Sequence, residues 1–157
     1  MSSSRLCRLM SVHRNFAFML AAAILAIGAG VALLWVLRAG GERSARIELG
    51  QRLYAAHCAS CHGADLQGKP DWQSSKLNGH MPAPPHDASG HTWHHSDEEL
   101  FRITKFGMSS VVQNYESDMP AFGNVLSDQE IEAGLTFIKS TWPERERNYQ
   151  KERSRRR

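Results

Sequence analysis

Residues 16–37 read FAFMLAAAILAIGAGVALLWVL, 22 positions without a charge. As an α-helix the run spans about 33 Å at about 1.5 Å per residue, which matches the hydrocarbon thickness of a bilayer. It is too long and too uniformly apolar for an ordinary buried helix, so it implies a membrane span. Arg5, Arg8 and Arg14 precede it, and Arg38, Arg43 and Arg46 follow, so the flanking charges orient it only weakly. The apolar region of a signal peptide is usually about 7–15 residues. The length therefore favours an uncleaved anchor over a cleaved signal, although Ala39-Gly40-Gly41 has the small residues of a cleavage site.

What remains is one domain's worth of chain. The sequence divides into a cytoplasmic N-terminus (1–15), the span (16–37), a linker (38–46), a soluble domain (47–144) and a charged tail (145–157). The net charge of +3 hides this division. Residues 47–144 carry six basic and thirteen acidic side chains, net −7, whereas 145–157 carry seven basic and two acidic, net +5. The positive charge flanks a span or sits in a tail outside the cytoplasm, which argues against a nucleic-acid partner. The tail is almost free of apolar residues, so a solvated helix extension or a disordered, separable basic element is expected. It would be free to touch anionic lipid. Three cysteines are too few for a disulfide-built domain, and Cys7 falls on the reducing side of the membrane.

Helices can be placed by pattern. Leu49, Leu53 and Tyr54 give a helix from Ile47 to about His57. Ser96-Asp97-Glu98-Glu99 and Ser127-Asp128-Gln129-Glu130 both read as capping boxes. The first should open a helix carrying Leu100 and Ile103 that stops by Gly107. The second opens one with an apolar stripe of Ile131, Leu135, Ile138 and Trp142, ended by Pro143. Between the first two helices lie about 35 residues rich in Gly, Pro, Ser and His, a length that is uncommon unless the loop wraps something.

Cys58-Ala59-Ser60-Cys61-His62 names that something. C-x-x-C-H is the attachment motif of c-type haem: both thiols can form thioethers to the macrocycle, and the adjacent imidazole is placed as an iron ligand. A thioredoxin-like C-x-x-C would need a βαβ context, which the pattern lacks. A zinc site built from His57, Cys58, Cys61 and His62 would crowd four ligands into six residues. The domain methionines, Met81, Met108 and Met119, are candidates for a sixth ligand, against the usual role of methionine as core filler. Met119, followed by the stiffening Pro120, is the most constrained of them.

With these residues in place, about residues 47–143 resemble the bacterial class I monohaem cytochromes c in their membrane-anchored form. The resemblance rests on Gly50, Tyr54, Cys58-Ala-Ser-Cys-His62-Gly63, Met119-Pro-Ala-Phe122 and a last helix ending at Trp142. It implies an all-α fold of about three helices wrapped round one covalent haem c, with His62 and Met119 as axial ligands. It also implies that Gly50 and Tyr54 pack the first helix against the last, around Leu135 and Ile138. A proline carbonyl should accept the proximal imidazole N–H, with Pro85 the best match. The function implied is single-electron transfer between redox partners of the respiratory chain. The domain would lie in the periplasm, tethered to the inner membrane lipid. A fixed subunit of a respiratory oxidase or dehydrogenase complex is the alternative, ahead of a haem-based sensor or a copper-handling protein. No nucleophile–base pair or spaced carboxylate pair points to an enzyme or to a small-molecule substrate. His80, His86, His91, His94 and His95 crowd one loop. They read as packing around the haem edge with Trp93 rather than as a metal site, because no ligand spacing repeats.

Overall fold

The computed structural model describes the backbone of residues 3–74 and 79–156, and side chains at Met19 and from Ile24 onward within that range. The side chains of Arg5, Cys7, Arg8 and Arg14 lie outside the described residues. Among the described residues five α-helices occur in the order α1 (Ser3–His57), α2 (Ala59–His62), α3 (Asp97–Phe106), α4 (Asp128–Thr141) and α5 (Glu144–Arg155). Two 3₁₀ turns, Thr92–His94 and Met108–Ser110, flank α3, and there is no strand among the described residues. The fold is all-helical, as the pattern predicts.

The chain divides between Arg43 and Ser44 into two units. In the first, the described side chains Leu25, Leu34, Trp35 and Val36 are each more than 60% exposed. Among the described residues one helix is long and apolar enough to cross a membrane, at Ile24–His57. The expected linker, residues 38–46, is helical and part of α1.

In the second unit the helix boundaries follow local chemistry. Ser96 Oγ accepts from the Glu99 amide while the Glu99 carboxylate accepts from the Ser96 amide at 3.0 Å, so two otherwise orphaned donors at the start of α3 are satisfied. Ser127 and Glu130 do the same for α4. Gly107 ends α3 at φ +85°. Trp142 leaves the helical region at the end of α4, as Pro143 requires of the residue before it.

The core gathers Tyr54, Leu66, Leu100, Ile138 and Trp142, with Trp93, Leu135 and Phe137 against it. Trp142 is 1% exposed, and its Nε1 donates to the His86 carbonyl at 2.7 Å, so the polar end of the largest core side chain is satisfied. The C-terminal part of α1 crosses α4 at Gly50. A Cβ there would lie 2.0 Å from the Ala133 carbonyl oxygen and 2.8 Å from Phe137 Cβ, so only glycine permits the approach. Gly50 meets Ala133 and Phe137 at the crossing, and Tyr54 shares the core with Ile138 and Leu135. Tyr54 packs on Phe137 with ring centroids 5.5 Å apart.

The tail is helical, one of the two states expected of it, but it is not solvated on all sides. Residues 144–155 form α5, and the helix is docked rather than separable. Gln150 is 2% exposed, and its Nε2 donates to Asp97 Oδ1 at 2.8 Å, while the Asp97 amide donates to Ser154 Oγ at 3.0 Å. Tyr149 meets Trp93 edge-on at 5.3 Å. Residues too polar to build a core are thus used to cap α3 and cover an aromatic side chain.

Candidate haem site

The second unit encloses a cavity of about 450 Å³, the size class of a cofactor site. Its walls are mostly aliphatic and aromatic: Leu53 and Tyr54 of α1, Leu100 and Ile103 of α3, Ile131, Leu135 and Ile138 of α4, and Phe122 from the loop between them. Cys58, Cys61 and His62 enter this wall together. They do so because the chain after α1 turns at Cys58 and runs straight into the one-turn α2, with the His62 amide donating to the Cys58 carbonyl at 2.9 Å. Gly63, at φ +82°, then turns the chain away, and the Tyr54 hydroxyl donates to its carbonyl at 2.9 Å.

Burial acts on Cys58 and His62 in opposite directions. Burial pushes the Cys58 thiol up to about 11, with the nearby Cys61 adding to the shift, so Cys58 is held as a thiol. Burial also lowers the His62 pKa, against the opposing hydrogen bond to Pro84 and with a small push from Lys69. His62 is therefore neutral, with a lone pair available. Its Nδ1 lies 2.8 Å from the Pro84 carbonyl oxygen. A carbonyl only accepts, so Nδ1 carries the proton and Nε2 carries the lone pair.

This corrects the expectation for Pro85. Successive carbonyls of an extended segment point in different directions, and the one that meets His62 belongs to Pro84. The Pro85 carbonyl instead accepts from Thr92 Oγ1 at 3.3 Å. The segment is brought this close by Gly68, at φ +68°, whose amide donates to the His62 carbonyl at 2.7 Å. A Cβ on Gly68 would lie 2.4 Å from Pro85 N.

All three domain methionines, Met81, Met108 and Met119, line the cavity. The loop carrying Met119 is pinned by the Phe122 amide on the Thr104 carbonyl and the Gly123 amide on the Lys105 carbonyl, both at 2.9 Å. His80 Nδ1, 2.5 Å from Asp118 Oδ1, ties the Met81 segment to it.

The histidines of the long loop have separate neighbours, although His91 also meets His95 edge-on at 5.5 Å. His80 pairs with Asp118 and Glu116, His91 stacks on Trp72 at 5.2 Å, and His94 lies between Trp93 and Tyr149. Among the described residues no group of three or more His, Cys, Asp or Glu side chains is placed to hold a metal ion. Trp72, His86, His91 and His95 reach the cavity wall, whereas Trp93 packs with His94 and Tyr149 instead.

Two thiols and one imidazole lone pair on a single helical turn, opening on an apolar cavity with thioether sulfurs in its walls, form a donor set that fits a covalently held haem. An all-helical unit of this kind with this site is a class I, monohaem c-type cytochrome domain. Residues 45–138 match the family described as cytochrome c oxidase, cbb3-type, subunit III, and the chain belongs to that family. It carries haem c and works by haem-based electron transfer. No curated protein and no solved structure matches it.

Proposed function

We propose that the protein is a membrane-tethered carrier that passes single electrons between respiratory partners, with its haem domain in the periplasm and residues 16–37 in the inner membrane. The shared cavity wall of Cys58, Cys61, His62 and Met119 carries this reading. When bound, the haem supplies one-electron iron chemistry. Cys58 and Cys61 would hold it through thioethers, and His62 Nε2 would be the iron donor. The Pro84 carbonyl on His62 Nδ1–H fixes the tautomer and raises the donor strength of the ring. Met119 would supply a further donor, a soft thioether that would favour ferrous iron and raise the potential. The apolar walls exclude water and disfavour the extra charge of ferric iron in the same direction.

Met119→Ala in the haem-loaded protein should remove the low-spin His/Met spectrum and lower the midpoint potential. An unchanged spectrum would reassign that position to Met108 or a histidine. The family description favours a second reading, in which the protein is a fixed subunit of a respiratory oxidase complex. Stoichiometric co-purification with larger haem-containing chains after mild solubilisation separates the two.

A further inference from the structure

His86 reaches the cavity wall with no role yet assigned to it, and its ring lies directly on His62, with centroids 4.0 Å apart and planes within 21°. Its anchorage is specific. The Thr92 hydroxyl donates to the Pro85 carbonyl at 3.3 Å, so Thr92 Oγ1, 2.8 Å from His86 Nδ1, receives that nitrogen's proton. Thr92 is 5% exposed, which places this relay away from water. The backbone of His86 is held at both ends: its amide donates to the Leu66 carbonyl at 2.7 Å, and its carbonyl accepts from Trp142 Nε1 at 2.7 Å. Tyr54 meets its edge at 6.2 Å. The two stacked imidazoles thus hang from neighbouring carbonyls, His62 on Pro84 directly and His86 on Pro85 through Thr92.

A single hydrogen bond at Nδ1 fixes which nitrogen of His62 is protonated but leaves the ring free to rock about that contact. A second planar ring against its face removes that freedom. We propose that His86 is a positioning residue that sets the ring plane of His62, and through it the potential of the haem; this rests on the reading of His62 as proximal ligand. Partners that orient a metal ligand are commonly worth about 10- to 100-fold when lost.

The test compares His86→Leu and His86→Phe in the full-length, haem-loaded protein, by midpoint potential and ferric low-spin EPR. Leucine keeps the site dry without a plane, whereas phenylalanine keeps a plane without the hydrogen bond. The inference expects the leucine variant to shift the redox equilibrium about tenfold, or about 59 mV for one electron, with broadened EPR lines. The phenylalanine variant should stay within about threefold of the parent. Equal behaviour of the two variants, whether both unchanged or both shifted, overturns it. If His86→Leu does not load haem, His86→Val, smaller and likewise without a ring plane, takes its place: broadened lines and a shifted potential are expected, and parental values overturn the inference. His62→Gly serves as the separate control. If it leaves the parental low-spin spectrum intact, the ligand reading itself has failed, independently of His86.

Discussion

Gly50→Ala puts the framework of the site under the most direct strain. In an exposed helix the change would stabilise by about 1 kcal/mol, because alanine is the better helix former. At position 50 the new Cβ falls 2.0 Å from the Ala133 carbonyl oxygen and 2.8 Å from Phe137 Cβ. Ordinary contact needs about 3.5 Å. The near atom at 2.0 Å is backbone, so no side-chain rotation relieves it, and α4 must move away from α1. Overpacking of this kind costs about 1–3 kcal/mol. The upper end applies here, which leaves a net loss of about 2 kcal/mol after the gain in helix propensity. With a urea m-value of about 2 kcal/mol/M, the midpoint should fall by about 1 M at unchanged slope. The assay is equilibrium urea unfolding of the haem-loaded protein in detergent, followed at the Soret band and by helical circular dichroism. Ile131, Leu135 and Ile138 of α4 line the cavity, so the displaced helix should also perturb the haem spectrum. A midpoint equal to the parent's, or raised, would refute the close crossing and the cavity wall built on it.

Two further outcomes follow from the docking of α5. Removing residues 144–157 takes Gln150 from Asp97 and uncovers Trp93, so it should lower the urea midpoint; a truncated protein as stable as the parent would restore the separable tail. Burial works to raise the Asp97 pKa, but hydrogen bonds from Lys139, Gln150 and Ser154 outweigh it and hold the carboxyl below its usual range. Its contribution to stability is therefore present above the unfolded-state value, about 3.9, and is lost as pH falls through the lower folded value. Urea midpoints between pH 3 and 7 should fall more steeply on the acid side for the parent than for Asp97→Asn, and parallel curves would exclude Asp97 as the group.

The parts of this protein that were legible in advance are those written in local chemistry. Both capping boxes, the stop at Gly107, the stripe ending at Trp142 and the turn at Cys58–His62 depend on residues within a few positions of one another. Two contacts depended on three-dimensional aim instead. Pro84 and Pro85 are adjacent and chemically alike, and only the path of the loop past Gly68 decides which carbonyl meets His62. His86 was one of five histidines in a loop, with no spacing to mark it out. The lack of apolar residues in the basic tail does not exclude packing, because Gln150 and Tyr149 dock it through a hydrogen bond and a ring edge. That also changes the charge picture. Residues 44–157, with α5 included, hold fourteen basic and fifteen acidic side chains, net −1, so the domain is close to neutral rather than strongly acidic. Long-range steering of partners by net charge is correspondingly weak.

The central claim is that Cys58 and Cys61 hold the haem covalently beside His62. Haem staining after denaturing electrophoresis, on the parent and on the double variant Cys58→Ala/Cys61→Ala, tests it most directly. The parent band should stain and the variant band should not, because nothing then holds the group once the fold is lost. Stain that persists on the variant would contradict the account.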